Sequence, residues 1–376
     1  MQREASDQRQ ISITRLHLES VTLGISLRDC SSRLASTAKA RIYDKVRRAG
    51  GQLARCVNDT VNHYGSSAEH VFATVSPVST LFDAMSESDY VGIAETLNAA
   101  AIDIGLEAIG GYSALCSAGM SAGDQALIRS LPAMLSSTDR MCASVECAKS
   151  QKGIGIAASE LISSVLAGIR SVSGPAGYRP DRISVLANAS GNSPYVPGSF
   201  HGIDEPEVAL HIAVSSKYVH QQLLHRIDDG SSLDDAADDV ANQVERLRRG
   251  GRFLSIRCAE TLSQRSGMDV RPGRVDISMP VAESSVIHGN RTEHNGVSAA
   301  SARTTTESAA LAARQGLLSL ARSTSSFAGA PIIRRVVKLD STSSPREVTG
   351  LILPHLAEAV RNGVELILSI ESTRQA

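Results

Sequence analysis

The sequence predicts an α/β protein built from repeated strand-helix units, and three observations carry that expectation. Short runs rich in Val, Ile and Leu alternate with longer stretches of helical periodicity along most of the 376 residues. Hydrophobic residues make up 42% of the chain while aromatics are 3% and Trp is absent. The core must therefore be filled with aliphatic side chains, which suit helices packed closely on strands. Finally, the segment VTLGISLRDC, residues 21–30, runs from an apolar strand directly into charge and a thiol. Barrels and open α/β sheets carry their chemistry at strand ends of this kind, because the strand is rigid and its mouth is a cavity.

In chain order, the first twelve residues are polar and offer nothing to pack, so residues 1–18 are expected to lead into a single domain over 19–376. Strands are expected at 21–27, 71–76, around 108–109, 141–145, 183–187, 208–214, 274–279, 332–339 and 364–370. Residues 32–64 read as helix, with Leu34, Ile42, Val46, Leu53, Val57 and Val61 on a shared face and a break at Gly50-Gly51. Ser88-Asp89 is expected to cap the next helix, whose Val91, Ala94, Leu97 and Ile102 face one way. Further helices are expected over 155–172, 217–227, 233–263, 301–323 and 345–361, the last with Pro345 at its first position and a kink at Pro354. Residues 171–180 and 284–300 read as loops. Strands alternating with helices of this length predict parallel pairing, in a barrel or a long doubly wound sheet.

A formal net charge of -1 gives no long-range field for nucleic acid or an anionic membrane, despite the basic run Arg246 to Arg252. No apolar run approaches the ~20 residues of a membrane span. The six cysteines form no CxxC pair and no secretory segment opens the chain, so a reduced cytoplasmic protein is expected. A homo-oligomer is the default expectation, although no helix face names an interface.

Four segments place polar groups beside strand ends. In the first, Ser26, Arg28, Asp29 and Cys30 follow one another; a cation such as Arg28 would lower the thiol pKa and make Cys30 a nucleophile, while the alternative is a small packed residue ending a strand. In the second, Gly110 and Gly111 permit close backbone approach, and Tyr112 and Ser113 offer hydroxyls to a ligand; a tight turn explains the same glycines. The third carries Cys142 after the charged turn Thr138-Asp139-Arg140. In the fourth, His201 is a candidate acid/base group, with Asn188 and Asn192 able to orient a carbonyl or carboxylate, against the alternative of a solvated loop histidine. No GxGxxG, Walker, GxSxG or HExxH pattern occurs, so no cofactor is named. No metal is expected: His220 and His225 fall on different helix faces, and His288, Glu293 and His294 share only a loop.

These segments carry a resemblance. VTLGISLRDC, ATVSPVSTL (73–81), IGLEAIGGYSALCSAGMSAGD (104–124), LPAMLSSTDRMCASV (131–145) and LANASGNSPYVPGSFHG (186–202) resemble, in order, the prokaryotic family called domain of unknown function 711, with a fainter match at GRVDISMPVAESSV (273–286). The resemblance implies a ten-stranded β/α barrel of two five-stranded halves, similar to pyruvate formate-lyase and other glycyl-radical enzymes and somewhat reduced at the C-terminus. It brings no known reaction. The radical-bearing Gly of those enzymes has no counterpart here, where Arg335-Val336-Val337-Lys338 is the nearest look-alike. The chain also carries Gln151-Lys152-Gly153-Ile154-Gly155 where members show Lys-Ser-Gly-Ile-Asn, and its C-terminal third is shorter. The combined expectation is a small-metabolite enzyme using non-radical acid/base or thiol chemistry on a carboxylate or carbonyl compound, as a lyase, isomerase or transferase. Cys30, Asp29, His201 and Cys142 would be catalytic, and Ser26, Arg28, Gly110, Gly111, Tyr112, Ser113, Asn188 and Asn192 would bind substrate. The alternative is a ligand-binding or regulatory protein without turnover.

Overall fold

The structure, a computed structural model, describes residues 16–32, 34–82, 85–169, 180–217, 219, 233–278, 286–288, 332–339 and 343–372. The helices expected over 217–227 and 301–323, the loop 171–180 and most of 284–300 lie outside the described residues.

Alternation of apolar and polar side chains with a period of two sets the strands: β1 (His17–Ile25), β2 (Ser67–Val75), β3 (Ile109–Leu115), β4 (Met141–Lys149), β5 (Gly153–Ile154), β6 (Ile183–Ala187), β7 (Val208–Ser215), β8 (Val270–Ser278), β9 (Val286–His288), β10 (Ile332–Leu339) and β11 (Glu365–Ser372). The helices are α1 (Ala35–Gly50), α2 (Leu53–His63), the single turn α3 (Val78–Leu81), α4 (Glu87–Asp103), α5 (Ala122–Ser137), α6 (Ile156–Gly168), α7 (Leu233–Ser266) and α8 (Pro345–Asn362). Three begin with reciprocal capping boxes, Ser86 with Asp89, Ser121 with Asp124 and Ser344 with Glu347.

Four expectations need correction. The cap of α4 is Ser86, because only there does the hydroxyl reach the amide of Asp89. Helix α5 was not expected; the Ser121 box starts it and Pro132 sits within it. Residues 286–288, expected in a loop, pair with β10 as β9. The fourth correction concerns parallel pairing, which fails at two seams.

All eleven strands join one sheet in the order β8-β7-β1-β2-β3-β4-β6-β11-β10-β9, with β5 hydrogen-bonded to β4. Strands β1, β2, β3, β4 and β6 run parallel, as do β7 with β8, and β9 with β10 and β11. The seams β1–β7 and β6–β11 are antiparallel. A parallel return requires a crossover to the other end of the sheet. The connection from β6 to β7 contains no helix and re-enters at the end it left, since Val208 pairs with Ile25, so the chain reverses. The outcome is two parallel five-stranded sets facing opposite ways.

The sheet is curled. Glu19 of β1 binds Arg334 of β10, and Arg274 of β8 binds Glu365 of β11, joining strands far apart in the hydrogen-bonded order. Val21, Leu23 and Ile25, with Val145, Cys147, Val185, Leu366 and Leu368, pack outward with the helices in the large core. A separate, smaller cluster contains no helix residue: Leu186, Ala189, Tyr195, Phe200, Ala213 and Ile367. It fills the inside of the curl, and residues 188–206 thread through it.

Candidate functional site

That inner loop decides which strand residues matter. Ser20 and Thr22 of β1 both donate to Pro194 O at 2.7 Å, and Thr74 of β2 donates to Ser199 O at 3.0 Å. The amide of His201 donates to Val75 O at 2.9 Å. Gly110 is required where it stands, since a Cβ there would lie 2.8 Å from Ser199 O. The lumen is thus lined by polar alternate residues, and the loop supplies the carbonyls that satisfy them.

The densest polar constellation lies where the loop meets β8 and β11. Arg274 Nη1 donates to Glu365 Oε2 at 2.8 Å, to Ser190 Oγ at 2.9 Å and to Asn192 Oδ1 at 3.3 Å. Ser190 Oγ also donates to Glu365 Oε2 at 2.9 Å, and Asn192 Nδ2 donates to Glu205 Oε1 at 2.9 Å. Arg274 reaches Asp276 at 3.5 Å, and Asp276 accepts from the Tyr195 hydroxyl at 2.7 Å. The Arg334 guanidinium stacks on the Tyr195 ring at 4.2 Å while it binds Glu19. Both Arg274 and Glu365 are buried. Burial works against the Arg274 charge, but Glu365 and Asp276 outweigh it and raise its pKa.

A second lumen feature is a row of hydroxyls in register across four strands: Ser113 pairs with Ser144, Ser144 with Ser184, and Ser184 with Ser369. Ser113 and Ser144 share a hydrogen bond of 2.7 Å, whereas Ser184 Oγ is buried with no hydrogen-bond partner among the described residues. Cys142 follows the same alternation on β4, two residues before Ser144, and is buried.

The rim is built from the end of β1. Ser26 donates its amide to Glu207 O at 2.9 Å, and the exposed Arg28 binds Ile203 O. Arg28-Asp29-Cys30 form one 3-10 turn. Buried Lys45 of α1 reaches Asp29 at 2.6 Å and Glu207 at 2.9 Å. Burial pushes the Asp29 carboxyl up, but the hydrogen bond and charge of Lys45, with smaller hydrogen bonds, together outweigh it and hold it below the usual carboxylate range. Cys30 is buried against the outer core with its sulfur 3.6 Å from Asp29 Oδ1, and burial together with the Asp29 charge pushes the thiol up to about 12. Arg28 therefore does not activate it.

His201 is fully buried, its Nε2 donating to Pro206 O at 2.8 Å, and burial lowers its pKa to about 4. It faces the lumen beside Gly24, where a Cβ would overlap its Nδ1. Gly111 has φ +98° and its Cβ would strike Val75.

Ser113, Cys142, Asn192, His201 and Gly110 accordingly share the lumen, while Cys30, Asp29, Arg28 and Ser26 lie at its rim. Two residues turn elsewhere. Tyr112 points into the helix layer, its hydroxyl 2.6 Å from Ser130 of α5 and its pKa raised by burial. Asn188, at φ 53°, spends its side chain on Ser150 N, Ala359 O and Val364 O, which locks the β4–β5 turn to the end of α8. Sequence reasoning passed over Lys45, Arg274, Asp276, Glu365 and His211. The signal was present: Arg274, Asp276 and Ser278 alternate with Val275 and Ile277, as Glu365, Ile367 and Ser369 do with Leu366 and Leu368, which means a strand with a polar inner face.

Among the described residues no group of three or more His, Cys, Asp or Glu side chains is placed to hold a metal, and no helix is long and apolar enough to cross a membrane. The side chains of His220, His225, His288, Glu293 and His294 lie outside the described residues. A cleft of about 330 Å³ between α2 and α7, lined by Asp59, His63, Tyr64 and Glu260 among others, lies on the outer surface.

Fold and site together define a mixed α/β protein whose curled sheet encloses a loop-filled polar lumen. The chain belongs to the family described as "Uncharacterised ACR (DUF711)", whose model matches residues 9–315. It is 31% identical over 272 residues to a UPF0210 protein of Halothermothrix orenii, covering 72% of this chain and 59% of that protein. It is 30% identical over 306 residues to a UPF0210 protein of Thermoanaerobacter sp., covering 81% and 66%. A UPF0210 protein of Limosilactobacillus reuteri is 32% identical over 274 residues, covering 72% and 58%. The match spans about three fifths to two thirds of the length of these curated relatives.

Proposed function

We propose that the chain is a small-molecule enzyme working by acid/base chemistry, without a glycyl radical, in the lumen of a barrel akin to that of the pyruvate formate-lyase-like enzymes. The two antiparallel five-stranded sets support that kinship. The single observation carrying the function is the convergence of Arg274, Glu365, Ser190 and Asn192 from β8, β11 and the inner loop on one buried point. Fixed donors and carboxylates of this kind orient a small carboxylate or carbonyl compound and move protons on it, in a lyase, isomerase or transferase reaction. Ser113 and its hydroxyl row would hold the polar remainder of the substrate. Cys30, packed against the outer core with its thiol pushed up to about 12, is suited neither to thiolate attack nor to proton transfer near neutral pH.

A second reading, a binding protein without turnover, is favoured by one observation: His201 is held neutral with Nε2 already spent on Pro206. Thermal denaturation in the presence of pooled small carboxylates and carbonyl compounds tests the site. Stabilising compounds are expected to act on the wild-type chain and on Cys30→Ser, and to lose their effect in Ser190→Ala and Asn192→Ala. Equal stabilisation of all four proteins would place the ligand elsewhere. Turnover of a stabilising compound then separates the enzyme from the binding protein.

A further inference from the structure

Two buried imidazoles turn one nitrogen each toward the same part of the lumen. His211 projects from β7 and His201 from the inner loop, and both are fully buried. Among the described residues, Nε2 of His211 and Nδ1 of His201 have no hydrogen-bond partner, each other included. Gly24 of β1, on the inner face with Ser20 and Thr22, locates them: a Cβ there would overlap His201 Nδ1 and lie 3.2 Å from His211 Nε2. Overlap with one atom and that distance to the other keep the two nitrogens within two hydrogen-bond lengths of about 3 Å each. One oxygen atom between them can therefore reach both.

The outer nitrogens fix the tautomers. Arg274 donates its backbone amide to His211 Nδ1 at 3.0 Å, so that nitrogen carries a lone pair and the proton of the neutral ring sits on Nε2. His201 Nε2 faces the carbonyl of Pro206 at 2.8 Å, and a carbonyl only accepts, so the proton of His201 is on Nε2 and its Nδ1 is bare. Both rings are neutral near pH 7, because burial lowers His201 to about 4 and His211 to about 3. The inward atoms are thus one donor and one acceptor, and that pairing selects its occupant. A carboxylate or carbonyl oxygen only accepts, and would set a lone pair against His201 Nδ1; an ammonium only donates, and would face the proton of His211. A metal ion would need a lone pair on His211 Nε2, which would move the proton to Nδ1 and set it against the Arg274 amide. A hydroxyl oxygen accepts from the one nitrogen and donates to the other.

We infer that His201 and His211 form a hydroxyl subsite, in which His211 Nε2–H donates to the oxygen of a ligand's alcohol group and that hydroxyl donates to His201 Nδ1. The subsite rests on the Arg274 cluster being a ligand site, and it narrows the substrate from carboxylates and carbonyl compounds in general to small hydroxycarboxylates. Two links hold it beside that cluster. Arg274 gives its backbone amide to His211 and its guanidinium to Ser190, Asn192 and Glu365, so the two sites are one arginine side chain apart. The amide of Gly202, next to His201, donates to Gly191 O at 2.7 Å, between Ser190 and Asn192. Water is the other molecule that matches one donor and one acceptor, and matched ligands separate it from a ligand hydroxyl.

Isothermal titration calorimetry of the full chain with matched acids reads the subsite. The probes are lactate and 3-hydroxybutyrate, each beside its parent acid, propionate or butyrate, and its oxo acid, pyruvate or acetoacetate. At least one hydroxy acid is expected to bind about tenfold more tightly than its parent, with the oxo acid no better than the parent. His201→Gln keeps a donor for Pro206 O and His211→Asn keeps an acceptor for the Arg274 amide, while each deletes the inward-facing atom. Both variants should bring the hydroxy acid down to its parent's affinity and leave the parent unchanged, whereas Ser190→Ala should weaken the two alike. Equal binding of hydroxy and parent acids by the wild type overturns the subsite, leaving water alone at the two rings and the Arg274 site standing. A hydroxy-acid preference that survives in both histidine variants places the hydroxyl elsewhere and overturns it as well. Binding of none of these acids removes the Arg274 ligand site, and the subsite with it.

Discussion

Arg274 Nη1 lies 2.8 Å from Glu365 Oε2 across the lumen, between two strands that share no backbone hydrogen bond. Their separation along the sheet order makes this pair a tie across the curl, and its burial makes it sensitive to partial removal. Glu365→Ala leaves the buried guanidinium beside Asp276 without its closest carboxylate and is expected to cost about 3–5 kcal/mol in urea unfolding. The double change Arg274→Met with Glu365→Leu should recover part of that loss, because both members of the pair go together while Asp276 loses its guanidinium and keeps the Tyr195 hydroxyl. A double variant no more stable than the single one would mean that the tie, and not its charge, holds the curl.

Cys30 should be unreactive. With its pKa pushed up to about 12, only about one molecule in ten thousand carries the thiolate at pH 8. Iodoacetamide labelling followed by mass spectrometry is expected to leave Cys30 unmodified in the folded protein and to modify it in denaturant. Rapid labelling of the native protein would restore the nucleophile reading.

The contrast between Cys30 and Arg274 shows what the chain discloses on inspection. Strands β6 and β10 fall at the residues their apolar runs predict, 183–187 and 332–339, because a buried run bounded by loops has few alternatives. The orientation of Tyr112 was not legible. A register shift lies between Ile109 and Tyr112 in the pairing of β3 with β4, so Gly110 faces the loop and Tyr112 the helices; strict alternation would put both on one side. The antiparallel seams were hidden for a related reason, since nothing in the composition of residues 188–206 says that they pass through the lumen. Asn192 and Ser113 were singled out because loop amides and strand hydroxyls look exceptional in sequence. Arg274 and Glu365 were not, because a charge on a strand looks like solvent exposure until the sheet curls.

Lys45 should govern the rim. It binds Asp29 and Glu207 together, and its absence would leave two carboxylates facing one another. The Asp29 pKa is lowered in the folded chain, so its contribution to stability is present above the ordinary value near 3.8 and is lost as pH falls through the folded value. Lys45 is raised above 10.5, so its contribution is complete below that value and drains away as pH climbs through the folded one. Lys45→Met is expected to return the Asp29 carboxyl to the ordinary range or above it in an NMR titration. An Asp29 titration that does not move in this variant would show that Lys45 is not its partner in solution.

Acid should weaken the fold well before the carboxylates titrate. His201 has a folded pKa near 4 against 6.5 for the free side chain, so between these values the unfolded chain binds more protons than the folded one. Stability therefore rises with pH across that window and falls on acidification through it, by about 3 kcal/mol for His201 alone. His211, lowered to about 3, adds to the same slope. Urea midpoints measured from pH 7 to pH 4 should show the loss, and His201→Gln should flatten it. A wild-type slope equal to that of the Gln variant would mean that His201 is solvated and already titrating normally.

Two glycines give opposite expectations from the same substitution. At Gly110 a methyl group would lie 2.8 Å from Ser199 O and 3.0 Å from Thr74 Oγ1, backbone on one side and a hydrogen-bonded hydroxyl on the other. Neither can yield without lifting the inner loop off β2, so Gly110→Ala should cost about 1–3 kcal/mol. Gly168 ends α6 with nothing within 4 Å of its would-be Cβ, and Gly168→Ala should stabilise by about 0.5–1 kcal/mol through helix propensity and a less flexible unfolded chain. Hydrogen exchange distinguishes displacement of the loop from a general loss of stability. In Gly110→Ala the amide of His201, which donates to Val75 O, should exchange faster than the β1 and β2 amides around it. If the His201 amide stays as protected as its neighbours while the global stability drops, the loop has not moved and its close approach to Gly110 is not what holds it in the lumen.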